Sequence, residues 1–168
     1  MVRECVPVVI AALCPGCSLL LDFSDSAAPH DAAIDAVYTQ EQCDYKEPND
    51  STTEPAVVTA SDMGPAAICA PAVMGGIEDH DYYKFTVATV PFTVGITFTN
   101  RPGGDLDIRV YEANGVLLGQ SRGFGDSESV TCPGSSPACP SVQPGDFILE
   151  VFPAVSGSVN TYMLTIPN

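Results

Sequence analysis

Apolar and polar residues alternate strictly along much of the second half of this chain. In Phe92–Thr99 and Asp105–Glu112, apolar side chains occupy every second position, which places them on one face of a β-strand. Two weaker strand candidates, Ala56–Ser61 and Ala72–Ile77, come earlier. Similar runs predict further strands at Tyr82–Ala88, Val116–Ser121, Glu128–Cys132, Asp146–Phe152 and Asn160–Ile166. We find no segment with a helical period, so the pattern predicts an all-β protein.

Turn residues separate the predicted strands. The sequence has 15 Pro and 14 Gly, and so many chain breakers favour short strands over long helices. The pair Asn114-Gly115 is typical of a type I′ hairpin and connects two of the strands. About eight strands joined in this way predict a jelly-roll-like antiparallel β-sandwich.

The N-terminus has the features of an export signal. The apolar run Val6–Leu13 is far shorter than the roughly 20 residues that span a bilayer. The segment that follows resembles the lipobox of bacterial lipoproteins, in which a small residue precedes the cysteine that receives the lipid. Gly16 and Cys17 match this pattern, whereas Cys14 and Pro15 depart from it. The alternative is an ordinary secretory signal cleaved nearby, and both interpretations predict export.

Composition divides the chain into three parts. Residues 1–17 form the predicted signal peptide, and residues 18–42, rich in Ala, Asp and Ser, offer little apolar surface to bury. We therefore expect residues 18–42 to be a flexible tether. Residues 43–168 contain all the predicted strands and are long enough for one domain with its own core.

Cysteine usage agrees with export to an oxidising compartment. Of seven cysteines, three lie in the predicted leader, including Cys17 as the lipidation site. An even set remains in the predicted domain: Cys43, Cys69, Cys132 and Cys139. Three pairings are possible, but the turn-rich loop between positions 132 and 139 favours a local bridge and leaves 43 to pair with 69. These four lack the Cys-x-x-Cys spacing or accompanying His typical of zinc sites, which favours disulfides.

The chain is strongly acidic. Six basic residues against 21 acidic ones give a formal net charge of −15 and a pI of about 4.1. This charge excludes an electrostatic footprint on nucleic acid or on an anionic membrane, so membrane contact is expected through a lipid anchor alone. It favours cations or basic partners.

Two acidic stretches are candidates for a cation site. Glu78, Asp79 and Asp81 place three carboxylates within four positions, directly before a strand. Carboxylates this close repel one another unless a cation or a hydrogen-bond network neutralises them. The turn Glu47–Asp50 is the second oxygen-rich stretch. If the two stretches meet, calcium is the expected ion, because it prefers oxygen ligands.

From about Cys43 to Ile166 the chain resembles the bacterial pre-peptidase C-terminal domain, a small jelly-roll β-sandwich of secreted proteins. The resemblance rests on five ordered landmarks, which are Glu47–Ser51, Gly76–Phe85, Gly104–Tyr111, Gly145–Val151 and Asn160–Ile166. The family includes the collagen-binding modules of clostridial collagenases, in which such turns hold calcium. The resemblance implies one calcium ion held by Glu47, Asn49, Asp50, Glu78 and Asp81. The alternative is that these Asp and Asn side chains cap their own turns.

These observations favour a non-enzymatic function. The sequence has two His, no Gly-x-Ser-x-Gly elbow and no His-Glu-x-x-His helix. We therefore predict a non-catalytic, exported lipoprotein, anchored to the outer membrane or cell surface, or otherwise secreted. Its calcium-stabilised sandwich would bind a protein or polysaccharide at the cell envelope. The alternative is a structural or assembly subunit without a separate ligand, and a carbohydrate-binding module ranks third because the chain has no Trp.

Overall fold

The computed structural model describes residues 43–62 and 64–168. The predicted signal peptide, the lipidation site Cys17 and the predicted tether lie outside these residues. Across the described ranges, we find no helix with the length and apolar character needed to cross a bilayer.

Two sheets and a small ribbon make up the domain. The elements in chain order are β1 (Ala56–Val57), β2 (Pro65–Ile68), β3 (Asp81–Val87), β4 (Phe92–Phe98), α1 (Asn100–Gly103), β5 (Leu106–Glu112), β6 (Leu117–Ser121), β7 (Ser127–Cys132), β8 (Gly134–Ser135), β9 (Ala138–Cys139), β10 (Gly145–Pro153) and β11 (Asn160–Thr165). The first sheet has the strand order β1-β3-β10-β5-β6 and the second β2-β11-β4-β7, while β8 pairs with β9.

Strand β10 is the centre of the first sheet. It pairs antiparallel with β3, where Leu149 lies opposite Tyr83, and with β5, where Leu149 lies opposite Val110. In the second sheet β11 pairs antiparallel with both β2 and β4. The prediction of an all-β antiparallel sandwich is therefore confirmed, with β1, which runs parallel to β3, as an exception to the antiparallel pairing.

The core lies between the two sheets and is formed by the alternating apolar positions. Phe85 of β3 packs edge to face on Phe92 of β4 at 5.9 Å between ring centroids. Phe92 in turn contacts Phe147 of β10, with 4.8 Å between centroids. Aromatic pairs at these separations add to the stabilisation from buried apolar area. The buried side chains on these faces include Val94, Ile96, Leu106, Ile108, Val110, Leu149, Val151 and Leu164.

Seven of the predicted strands are present within one residue of their expected ends, and two early ones differ. The candidate Ala56–Ser61 is reduced to the two residues of β1. The candidate Ala72–Ile77 is wrong, because this segment folds as consecutive turns. There the Val73 and Met74 amides donate to the Ala70 carbonyl, and Gly75 and Gly76 have positive φ. The pattern missed β2, which begins at a proline and has no alternation.

The Asn114-Gly115 hairpin forms, but its turn type differs from the prediction. A type I′ turn needs positive φ at both central residues, whereas here Gly115 has a φ of 88° and Asn114 does not have a positive φ. The Gly115 amide donates to Glu112 O, and the Glu112 amide donates to Val116 O, both at 2.9 Å. The loop is therefore the three-residue kind, in which a turn is followed by a left-handed glycine.

Both predicted disulfides are confirmed. Cys132 and Cys139 are bonded across the short ribbon, and Cys43 is bonded to Cys69 just after β2. The Cys43–Cys69 bridge ties residues 43–50, which we call the entering segment, to the second sheet. The entering segment carries one half of the candidate cation site.

Candidate metal site

The alternation of β3 continues into the loop before it and separates two groups of side chains. Tyr83 is buried in the core, and the same register places Asp81 and Asp79 on the inner side, where each is at most 1% exposed. His80 and Tyr82 point to the outer face of the first sheet, where both contact Glu150. One short stretch therefore contributes to two sites.

The inner group is an acidic cluster, which we define as Asp44, Glu47, Asn49, Asp79 and Asp81. All five residues are buried. The Tyr82 amide donates to Asn49 O at 2.9 Å, which brings the entering segment alongside the start of β3. The two acidic stretches seen in the sequence therefore meet, as the calcium prediction requires.

The side-chain amide of Asn49 lies between two carboxylates. Its terminal atom is 2.9 Å from Glu47 Oε2 and 3.1 Å from Asp81 Oδ1. With nitrogen in this place, Asn49 donates to both oxygens. With oxygen there, three oxygens face one another, which is favourable when a cation lies among them. The amide can therefore fit both a metal-free and a metal-bound cluster by rotating about its last bond.

Asp81 is anchored by the second sheet. The hydroxyl of Tyr162, on β11, donates to Asp81 Oδ2, and the hydroxyls of Tyr162 and Tyr83 are 2.6 Å apart. Tyr162 and Tyr83 are themselves fully buried. This chain of hydrogen bonds fixes the position of one carboxylate across the interior of the sandwich.

Among the described residues, the Asp79 carboxylate has a hydrogen-bond donor at one of its two oxygens. Its Oδ2 accepts a hydrogen bond from the Cys69 amide, whereas among the described residues Oδ1 accepts none, although Asp79 is 1% exposed. A buried carboxylate oxygen without a donor is unfavourable unless an ion or another ligand satisfies it. The oxygen of Asp79 therefore fits a cation better than it fits the bare cluster.

The charges of the cluster are not balanced by its own members. Burial, followed by the nearby charges of Glu47, Asp50 and Asp44, raises the pKa of Asp79 to about 7. Burial and the Asp79 charge raise the pKa of Asp81 well above its ordinary value. The nearby Lys46 ammonium instead pairs with Asp62 at 3.4 Å. A divalent cation would supply the missing positive charge.

The predicted calcium ligands separate into two groups. Glu47, Asn49 and Asp81 come together, with Asp44 and Asp79 as members that the sequence analysis did not select. Glu78 points elsewhere, with Oε1 accepting from the Gly157 amide at 3.2 Å. Asp50 is exposed, and its charge acts on Asp79. Asp50 and Glu78 share the lining of an open cavity of about 580 Å³ with Met74, Ile77, His80 and Tyr82.

One signal in the sequence separates Asp79 from Glu78. The period-two pattern of Tyr83, Phe85 and Val87, extended backwards, passes through Asp81 and Asp79 and skips Glu78. Asp44 has no such signal. Its place depends on its hydrogen bond to Ala67, 23 positions away.

The outer group surrounds Glu150, which is 1% exposed although it lies on the outward face of β10. His80 Nδ1 and the Tyr82 hydroxyl donate to its Oε1 at 2.8 and 3.0 Å, and the Tyr111 hydroxyl donates to Oε2 at 2.6 Å. Arg109 donates to both oxygens, at 3.2 and 3.1 Å. Burial alone would raise the pKa of Glu150, but these donors outweigh it and hold the pKa at about 2.

Comparison with known proteins gives structural likenesses. No family model matches the chain, and no curated protein matches it. The pre-peptidase C-terminal domain of collagenase from Bacillus anthracis is similar in structure, with 15% identity and a TM-score of 0.45, over 65% of this chain and 90% of that domain. FlgD from P. aeruginosa is similar with 18% identity and a TM-score of 0.28, over 48% and 73%. The first of these belongs to the family that the sequence resembles.

Proposed function

We propose that this protein is a non-catalytic, exported lipoprotein whose calcium-stabilised β-sandwich binds a protein or polysaccharide at the cell envelope. The observation that carries the calcium part is the acidic cluster, in which Asp79 keeps a buried oxygen that accepts no hydrogen bond from any residue the structure describes. Glu47, Asn49, Asp79 and Asp81 would hold the ion, and calcium's preference for six to eight oxygens leaves room for backbone carbonyls and water.

The surface of the first sheet supports the binding part of the proposal. Its outer face presents partly exposed Tyr82, Tyr111 and Arg109, and Tyr and Arg are the residue types enriched at binding hot spots. Arg109 also lies over the Phe152 ring at 4.0 Å. The side chains of this face are held by Glu150, so a ligand would meet a surface that is already ordered.

The sheet edges favour a binding module over the alternative of an assembly subunit. Assembly by edge pairing needs a long free strand. Among the described residues no end strand is longer than six residues: β1 has two, β2 four, β6 five and β7 six. The ends of β6 and β7 are also joined to each other, since Ser121 donates to Glu128. We therefore keep the assembly role as the second candidate.

Thermal unfolding of the full oxidised chain tests the calcium part. The metal-free chain is titrated with calcium and with magnesium, and unfolding is followed by circular dichroism. Binding to the folded state alone raises stability by RT ln(1 + [L]/Kd), which is about 2.7 kcal/mol at a hundredfold excess over Kd. We expect calcium to raise the midpoint in the wild type and in Glu54→Gln, an exposed control, but not in Glu47→Gln or Asp81→Asn. No shift at millimolar calcium would contradict the proposal.

Sedimentation with purified envelope fragments tests the binding part. We expect the full chain to sediment with the fragments. Loss of sedimentation after protease treatment of the fragments identifies a protein ligand, and loss after glycoside hydrolase treatment identifies a polysaccharide. If the chain does not sediment with the fragments, or if neither treatment changes its sedimentation, the assembly alternative is favoured.

A further inference from the structure

The Cys43–Cys69 disulfide borders the acidic cluster. Cys69 is 1% exposed, and its sulfur lies with carboxylate oxygens of Glu47 and Asp79 in a group whose atoms are all within 4.8 Å of one another. While the disulfide is intact, its sulfurs are not metal ligands, since a thiolate is the form that binds metal. The oxidised cluster therefore offers oxygen ligands alone.

Reduction would change the donor atoms of the same pocket. A dithiol reductant gives two electrons and two protons to the Cys43–Cys69 bond and closes to its own disulfide. The S–S bond breaks, and two S–H groups form. The Cys69 sulfur then stands beside the two carboxylates, and the Cys43 sulfur starts from its bonded position next to it. Soft thiolate ligands favour zinc over calcium.

Contacts other than the disulfide hold the two thiols near each other. Asp44, next to Cys43, accepts hydrogen bonds from the Ala67 amide at 2.7 Å and from the Lys46 amide at 2.8 Å. Ala67 belongs to β2 and lies two positions before Cys69. The Cys69 amide donates to Asp79. The entering segment therefore remains attached to β2 through Asp44 when the sulfur bridge opens.

We propose that the reduced chain has a zinc site formed by Cys43, Cys69, Asp79 and Glu47. Two thiolates and two carboxylates supply four donor atoms of types that bind zinc, in the number that a tetrahedral zinc ion takes. The set differs from the usual Cys and His combinations, so its cysteine spacing gives no zinc motif in the sequence. Asp79 Oδ1, which among the described residues accepts no hydrogen bond, supplies one of the oxygens. Zinc binding displaces the two thiol protons to the solvent. The redox state of one disulfide thus selects the class of metal, and zinc binding to the reduced chain does not depend on calcium binding to the oxidised one.

Cobalt spectroscopy of the full chain tests this site. Cys5, Cys14 and Cys17 are replaced by serine to remove other thiols, and the chain is reduced with a phosphine, which takes an oxygen from water as the thiols form. We expect one Co²⁺ per chain. It should show thiolate-to-metal absorption in the near ultraviolet and strong visible bands of four-coordinate cobalt. Equimolar zinc should remove both.

Matched variants locate the ligands. We expect the double variant Cys43→Ser with Cys69→Ser to abolish the thiolate absorption, and the double variant Cys132→Ala with Cys139→Ala to retain it. We also expect Asp79→Asn to weaken cobalt binding by about tenfold or more, with Glu54→Gln unchanged. Circular dichroism checks that each variant is folded. If the double variant unfolds, the single variants Cys43→Ser and Cys69→Ser should each weaken the thiolate absorption.

Three results would overturn the proposal: absence of cobalt binding, thiolate absorption that is unchanged in the double variant Cys43→Ser with Cys69→Ser, or equal binding by Asp79→Asn and Glu54→Gln. The calcium titration of the oxidised chain is a separate measurement. Zinc binding without a calcium response contradicts the proposed function and leaves this inference standing. A calcium response without zinc binding supports the proposed function and contradicts this inference.

Discussion

Asp79 and Glu150 are both about 1% exposed, and both belong to clusters that meet near the start of β3, but their surroundings are opposite. Glu150 lies among donors, one of which is the Arg109 guanidinium, and its pKa is about 2. Asp79 lies among carboxylates, and its pKa is about 7. Burial acts in the same direction on both groups, so the difference comes from their neighbours.

Glu150 is a structural carboxylate, whereas Asp79 is a candidate metal ligand. Every oxygen of Glu150 accepts at least two hydrogen bonds, and its charge is matched by that of Arg109. It has no need of an ion. Asp79 has one satisfied oxygen and like charges around it, which is the condition that a cation relieves. Burial of an acidic side chain is therefore not evidence of a metal site until its donors have been identified.

The largest expected effect comes from removing Glu150. In Glu150→Ala the guanidinium of Arg109 and the hydroxyl of Tyr111 lose their acceptor, and breaking a buried ion pair in this way costs about 3 kcal/mol or more. Urea unfolding of the full chain should show this loss both with and without calcium. Glu54→Ala, an exposed control, should change stability by less than about 0.5 kcal/mol. Equal effects in the two variants would show that Glu150 is not paired in solution.

Low pH should remove part of the stability that ionised Glu150 contributes. The pKa of Glu150 is 4.5 in an ordinary setting and about 2 here, so the folded state favours the charged form. Its contribution is complete above about pH 4.5 and is lost as the pH falls towards 2. The stability difference between the wild type and Glu150→Gln, measured by urea unfolding, should therefore narrow between pH 5 and pH 2.5. A difference that stays constant over this range would contradict the low pKa.

Local patterns in the sequence predict most of the fold. Strands such as β4 and β5 alternate apolar and polar residues, and each is buried on one face as that pattern requires. Strand β2 could not be found in this way, because Pro65–Ile68 has no polar positions and is defined by its pairing with β11, nearly 100 residues later. The partner β11 does alternate and was predicted, so β2 was missed because its own four residues carry no alternation.

The sites are less predictable than the strands. The Glu47–Asp50 turn is visible in the sequence, and Asp79 could be distinguished from Glu78 by the register of β3. Glu150 also leaves a trace, since it is a single charge within the apolar run Phe147–Phe152. Its partners cannot be read from that run, because His80 is 70 positions away and Arg109 is 41. Sequence therefore indicates that a charge is buried, while the fold decides whether it is satisfied.

The smallest expected effect on stability is that of Asp79→Asn, and its sign should depend on whether calcium is bound. In the metal-free chain at pH 8, Asp79→Asn removes a charge held close to other carboxylates, and Asn can still accept from the Cys69 amide. We expect a gain of about 1 kcal/mol in the free energy of unfolding, because a charge is then no longer buried without a counterion. In saturating calcium the same change should lower stability relative to the wild type, because an ionised ligand is lost.

Paired urea curves with calcium and with a chelator measure both signs of the Asp79→Asn effect. Glu150→Gln is the matched control, since it neutralises an equally buried carboxylate outside the acidic cluster. We expect its effect to be destabilising and equal in the two conditions, because the charge of Glu150 serves Arg109 and not an ion. If Asp79→Asn also behaves equally with and without calcium, Asp79 is not a ligand, and the acidic cluster is a buried network stabilised by its own hydrogen bonds.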